Sequence, residues 1–306
     1  PLERIEVPAA AELGVAIDGS DAWWPAESSP AVLPAFSPYQ TQPEQYLEVF
    51  NRGAAPFDYA ITPARPWVLV HPARGTVRTQ VRATVRIDWS RAPKGTTRVP
   101  ITVTGAGATV EVLAVVEHPD VPEHELVGFV EASGHVTMEA EHYARAVERD
   151  GIRWVRIPGI GRTGAGMKPF PTTAAPRVPG GDGPRLEYDV YLFTTGPVRV
   201  TAYLSPRNGV SPARGLRYAI SFDDAPPQVV DVIAATGADD TAMNRQWERN
   251  TSDNVNRTTT VHEIATPGRH VLKFWMVDPT VVLQRLVVDT GGVRPSYLGP
   301  PESLRR

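Results

Sequence analysis

Val130–Tyr143 reads VEASGHVTMEAEHY, and Gly268–Gly292 reads GRHVLKFWMVDPTVVLQRLVVDTGG. In both stretches apolar residues recur at a two-residue period, and turn-forming residues interrupt the pattern at short intervals. A period of two puts successive side chains on opposite faces of an extended chain, so these are strands with a buried face. They predict strands at His135–Ala140, His270–Val277 and Val282–Asp289. Between them the same pattern recurs at Leu186–Phe193, Val198–Leu204, Arg217–Phe222, Gln228–Ile233 and Thr259–Ile264. Strands in this number predict a β-jelly roll over 129–306, closing in a tail over 290–306. Thr236 to Arg257, a run of mostly polar residues, reads as a long loop, and Trp247 in its middle argues that the loop is ordered.

Toward the N-terminus, strands are predicted at Gln45–Phe50, Trp67–His71, Val81–Asp88, Val99–Thr104 and Thr109–Val115. In QYLEVF, Tyr46, Glu48 and Phe50 share one face while Leu47 and Val49 share the other. Asn51-Arg52-Gly53 and Ala92-Pro93-Lys94-Gly95 supply turns. Short strands without helical periodicity predict an immunoglobulin-like β-sandwich over 1–120, with Trp67 and Trp89 as core anchors. Of the adjacent Trp23 and Trp24, one is expected to face out of the core. The polar, aperiodic stretch from His118 to Gly128 carries two prolines and reads as a linker, with 121–128 between the domains.

The chain has 306 residues, 42% of them hydrophobic, which is enough for two buried cores. Its formal net charge of -3 offers no field for nucleic acid and no polybasic membrane patch. It has no cysteine, so disulfide and thiolate chemistry are excluded. No apolar run is long enough for a membrane span. The chain starts at Pro1 without a methionine and is expected to be a piece of a longer protein or a processed form.

Gly159-Ile160-Gly161-Arg162-Thr163-Gly164 satisfies GxGxxG, but Pro169 and Pro171 follow before a helix can form, so it reads as a glycine-rich connection. Met167 stands where a P-loop needs its lysine. Glu139 and Glu141, two apart, point to one side of a strand. Two close like charges need a cation or a retained proton, and calcium, with its preference for hard oxygen ligands, answers that need. The alternative is an exposed face of solvated acids. Asp223-Asp224 and Asp239-Asp240 read as turn residues. The histidines show no metal-ligand spacing, and no HExxH or GxSxG is present. Trp247 has Asn244, Arg245, Arg249, Asn250 and Asn254 nearby, the polar company that a sugar-stacking aromatic needs. It reads equally well as a pin holding its loop to the sandwich. Tyr191 and Tyr203 are further aromatic candidates, and Trp275 is expected in the core.

VEASGHVTMEAEHY, the segment Trp247–Arg257, the stretch Gly268–Gly292 and the terminal PSYLGPPES together resemble the C-terminal region of glycoside hydrolase family 115, the xylan α-1,2-glucuronidases. YLEVFNRGAAPFDYAI and VRIDWSRAPKG resemble the β-sandwich that precedes that region. The resemblance implies a non-catalytic accessory fragment whose catalytic barrel lies elsewhere, so no catalytic residue is carried over. It implies an extracellular or periplasmic bacterial protein, contact with glucuronoxylan, with the missing catalytic domain or with a second protomer, and no role in nucleic acid or membrane binding. The second part also resembles carbohydrate-binding modules of families 6 and 35. Those modules imply a structural calcium held by Glu139, Glu141 and a late acid, Asp289. For a sugar ligand, Trp247 and Tyr203 are expected to stack, with Asn254, Asp278 and Arg245 bonding hydroxyls or a uronate. The insertion 145–185 departs from the smaller modules and is expected to cover their loop-borne site. The alternative is a purely structural role in bracing and dimerisation, with Trp23-Trp24 and the tail Arg294–Ser303 as interface.

Overall fold

A computed structural model describes residues 6–205, 216–236 and 240–306. The chain divides into two compact units, Pro1–Asp120 and Val121–Arg306. Nearly all of the regular structure is extended.

The first unit carries β1 (Leu13–Ile17), β2 (Trp23–Trp24), β3 (Ala31–Val32), β4 (Gln45–Asn51), β5 (Phe57–Pro63), β6 (Val68–His71), β7 (Arg74–Val77), β8 (Gln80–Ile87), β9 (Gly95–Gly105) and β10 (Ala108–His118). They form two five-stranded sheets, β2-β1-β4-β8-β6 and β3-β10-β9-β5-β7. Every pair is antiparallel except β3 with β10. The alternation in β4 sorts its side chains as the sequence implies: Leu47 and Val49 are buried, while Tyr46, Glu48 and Phe50 are half-exposed. Trp67 joins the core, and Trp89 packs on its margin, edge-on to His118. Of the tryptophan pair, Trp24 is buried. Trp23 lies edge-on to Phe50 with the Arg52 guanidinium 4.1 Å from its ring.

The second unit carries β11 (Phe129–Val130), β12 (His135–Glu139), β13 (Arg145–Val147), β14 (Arg153–Ile157), β15 (Gly166–Phe170), β16 (Arg185–Leu192), β17 (Gly196–Leu204), β18 (Arg217–Phe222), β19 (Gln228–Asp231), α1 (Asp240–Asp253), β20 (Asn256–Ile264), β21 (Gly268–Met276) and β22 (Leu283–Asp289). One sheet runs β11-β16-β21-β18-β19, with β13 also on β16. The other runs β14-β15-β22-β17-β20, with β12 also on β22. The strand order jumps repeatedly between sequence neighbours, as a jelly roll requires. Between the sheets lie Met138, Leu186, Tyr188, Tyr218, Phe274, Leu286 and their neighbours. The phenols of Tyr188 and Tyr218 are pushed up by burial, that of Tyr218 to about 12.

Three features differ from the sequence reading. The stretch read as a long polar loop contains α1: from Asp240 to Asp253 there is neither glycine nor proline, and Ala, Met, Arg, Gln and Glu favour the helix. Asn254, at φ 53°, ends it in the left-handed conformation that follows many helices, and the Val255 amide donates to the Asn250 carbonyl. The insertion 145–185 is structured too, adding β13, β14 and β15 before a strap over 171–184. The strap covers the outer face of the first sheet. Arg177 N–H donates to the Val277 carbonyl, and Gly183 lies against the Trp275 indole. Trp275 is therefore buried, but on the outside of its sheet beside Ala219 and Val277, with Arg185 over its ring and its indole N–H on Ser221. The stretch read as a linker is tied in at its end, where Gly128 and Arg306 exchange backbone hydrogen bonds.

Candidate carbohydrate-binding surface

β12 and β22 pair so that Glu139 faces Arg285 and His135 faces Asp289. That register decides what meets the buried carboxylate. Arg285 donates through Nε (3.1 Å) and Nη2 to Glu139 Oε1. Its Nη2 also reaches the Thr163 hydroxyl (2.5 Å), which itself donates to Glu139 Oε1 (2.5 Å). Its Nη1 donates to the carbonyls of Leu298 (2.7 Å) and Pro300 (3.0 Å), fastening the C-terminal tail. Glu141 sits on the 3-10 turn after β12. It accepts from Arg156 Nε and from the Ala165 amide (3.0 Å), and the Arg156 guanidinium holds its carboxyl below its ordinary value. A methyl group added at Gly164 would lie 2.9 Å from Glu139 Oε2 and 3.2 Å from Glu141 Oε1, so the two carboxylates converge on a bare glycine backbone.

The two acids come together across Gly164, with Glu141 on the turn after β12 and not on the strand face the spacing predicts, and the third expected ligand is absent from the cluster. Asp289 lies four residues along β22. There it accepts from the amides of Gly291 (2.8 Å) and Val293 (3.2 Å) as a turn cap. Among the described residues no group of three acids or histidines is placed to share a metal ion. Glu139, Glu141 and Asp289 therefore do not come together as the expected calcium ligands. Arg285 and Arg156 supply positive charge to the two carboxylates, and Glu139 Oε1 and both oxygens of Glu141 accept from N–H and O–H donors.

The expected sugar contacts divide in the same way. Tyr203 is 6% exposed and packs with Val255 and Val287, its hydroxyl beside Gly299 of the tail, so its ring has no open face. Asp278 is buried against Arg217, which donates from its amide (2.8 Å), Nε (3.0 Å) and Nη2 (3.2 Å), and the pair raises the Arg217 pKa. Tyr191 is buried against Phe193. Arg245 and Asn254 are exposed on and just after α1. Trp247 belongs to α1, and its side chain lies outside the described residues.

The GxGxxG segment is the turn between β14 and β15, with no helix after it. Arg162 from this turn donates to the Asp253 carbonyl at the end of α1 (3.1 Å) and to the Tyr297 carbonyl of the tail, and lies 3.3 Å from the Asp253 carboxylate. These arginines were missed because their partners are distant in sequence. One signal was available: Arg285 is a charged residue inside an apolar strand, which demands a buried partner.

A model of the glycosyl hydrolase family 115 C-terminal domain matches residues 128–302, more than half of the chain. No curated protein sequence matches it. Among solved structures, the chain is similar to a family GH115 4-O-methyl-α-glucuronidase, BtGH115A, with specificity for decorated arabinogalactans. The identity is 17%, 56% of this chain and 19% of that one are covered, and the TM-score is 0.38. It is also similar to a family 35 carbohydrate-binding module from Clostridium thermocellum (14% identity, 50% and 96% covered, TM-score 0.32). A third is the family 6 module CBM6cm-2 from Cellvibrio mixtus lichenase 5A in complex with cellotriose (17%, 50% and 95%, TM-score 0.29). The chain thus spans about a fifth of the length of the glucuronidase it matches. On the family match over 128–302, this chain belongs to glycosyl hydrolase family 115 and carries its C-terminal domain.

Proposed function

We propose that this chain is a non-catalytic accessory region of a xylan α-1,2-glucuronidase and that it binds glucuronoxylan or a related uronate-bearing plant polysaccharide. The match to the family's C-terminal domain carries the reading. The state of the buried acids supports it: Glu139, Glu187 and Asp278 each pair with an arginine. Glu131 accepts from the amides of Phe193 (2.6 Å) and Thr194 (3.0 Å) and from the hydroxyls of Thr194 and Thr290 (both 2.6 Å). Carboxylates so engaged serve as braces, whereas hydrolysis of a glycoside uses two acids facing a cleft. Arg245 and Trp247 of α1 and Asn254 just after it remain the ligand contacts this reading takes. The reading also places the protein outside the cytoplasm, in the periplasm or beyond.

Affinity electrophoresis tests it. Wild type is expected to be retarded in gels containing glucuronoxylan or a decorated arabinogalactan, and Trp247→Ala less so. Mobility unchanged by either polysaccharide would reject the binding role. Incubation with aldouronic acid is expected to release no glucuronic acid; turnover would reject the non-catalytic reading. A second reading, dimerisation through the tail, is favoured by the exposure of Tyr297 (67%) and Leu298 (49%), and light scattering that finds a dimer would support it.

A further inference from the structure

The tail carries an aromatic ring in an unusual setting. Tyr297 is two-thirds exposed, yet its ring is held from behind by the Arg162 guanidinium, 4.3 Å from the ring centroid. Arg162 is itself fixed, with its side chain 9% exposed and its N–H groups on the Asp253 and Tyr297 carbonyls. An exposed tyrosine normally spends rotamer freedom on binding. This ring is already stacked on one face, which lowers the ordering cost of a ligand on the other.

The surroundings are polar and carry a net positive charge. Asp253 is shared between Arg162 (3.3 Å) and Arg257 (3.9 Å), so two guanidiniums face one carboxylate. Among the described residues the Arg257 guanidinium has that long contact as its charge partner, and its side chain is 47% exposed. Asn254, exposed and held at φ 53° after α1, lies between Asp253 and β20. Tyr297 contacts Arg162 directly, Arg257 shares Asp253 with it and Asn254 follows Asp253, so the tail, the α1–β20 junction and the turn after β14 meet at one fixed hub, Arg162. The chemistry they offer is a flat apolar face, an available guanidinium fork and an amide with both donor and acceptor capacity.

We infer that Tyr297 is the stacking platform of a binding site for a uronic-acid-bearing oligosaccharide. A pyranose ring lies on its open face, the uronate pairs with Arg257, and Asn254 bonds a hydroxyl. This rests on the proposed polysaccharide-binding role and gives it a site. The long, weak contact between Arg257 and Asp253 leaves the guanidinium able to exchange one exposed partner for a bidentate carboxylate. Arg162 is a positioning residue.

Isothermal titration of the whole chain with aldouronic acid oligosaccharides, and with the same xylo-oligosaccharides lacking the uronate, tests the site. Tyr297→Ala is expected to weaken binding of the uronate-bearing ligand about tenfold or more, and Tyr297→Phe to retain it, because the ring face is what binds. Arg257→Ala is expected to remove most of the preference for the uronate-bearing over the neutral ligand. Circular dichroism should show all three variants folded, since both side chains are exposed. Wild-type affinity unchanged in Tyr297→Ala would overturn this site and leave the polysaccharide-binding role standing. No saturable binding by wild type would overturn both.

Discussion

At the scale of single residues, the decisive pairing is Glu139 with Arg285. Both side chains are almost fully buried, so removing one partner leaves an uncompensated charge inside the sandwich. Arg285→Ala is expected to lower the stability of the second unit by about 3–5 kcal/mol in chemical denaturation. Arg285→Lys should recover only part of that, because an ammonium cannot reach Glu139, Thr163 and the tail carbonyls together. A chelator is expected to leave the Tm of wild type unmoved. A drop reversed by added calcium would show that a cation does what Arg285 is assigned here. His262 makes a second residue-scale case. Its ring is buried on the inner side of β20, 2.8 Å from the Thr260 hydroxyl and edge-on to Phe222, and desolvation lowers its pKa from 6.5 to about 4. The unfolded chain therefore binds a proton that the folded one refuses between those values, so stability is full above about pH 6.5 and falls as pH drops toward 4. His135, lowered by burial as well, adds to the same slope. His262→Gln is expected to flatten the decline in Tm between pH 6.5 and 4 relative to wild type; an unchanged slope would place its cause elsewhere.

At the scale of elements, what was legible depended on whether local pattern alone decided the structure. The long strands β4, β9, β10, β17 and β20 were visible because one face of each is buried and period two records it, whereas β16 and β22 are buried on both faces and carry less of that alternation. The short strands β13, β14 and β15 were not: β13 is three residues long and pairs with the distant β16, and the β14–β15 hairpin is broken by Gly159, Gly161, Pro169 and Pro171. α1 was missed because its polar composition imitates a loop, although the fourteen residues without glycine or proline carried the contrary signal. That Glu139 and Glu141 come close was legible from spacing, but not that Glu141 sits on the turn after β12. The pair's arginine partners were not legible, since a register between β12 and β22 is a long-range fact. Some turns carry their signal in two residues. Asp150 and Gly151 both have positive φ, 53° and 75°, and the Ile152 amide closes the turn on the Arg149 carbonyl (2.8 Å). A side chain at Gly151 would meet nothing, so Gly151→Ala isolates the backbone term. It is expected to cost about 1–2 kcal/mol. A neutral result would show the β13–β14 connection to be adaptable.

At the scale of the whole molecule, each unit closes its own core between two sheets, and in the second the strap and the tail cover part of the outer surface while alternate residues of β20 stay exposed. The strap over 171–184 seals Trp275, and the tail seals Tyr203 and Arg285. Trp275 and Tyr203 are thereby withdrawn from solvent. The proposed site lies at the rim where the turn after β14, the end of α1 and the tail meet. No helix among the described residues is long and apolar enough to cross a membrane. The unit's buried carboxylates Glu139, Glu187 and Asp278 are paired with arginines, and a surface for a polymer is the role proposed for it. Calorimetric titration of wild type with a uronate-bearing xylo-oligosaccharide, repeated in a chelator and with the uronate-free analogue, addresses this most directly. Saturable heat from the uronate-bearing ligand, undiminished by the chelator and weaker for the analogue, is the expected result. The absence of saturable heat from either ligand would contradict it.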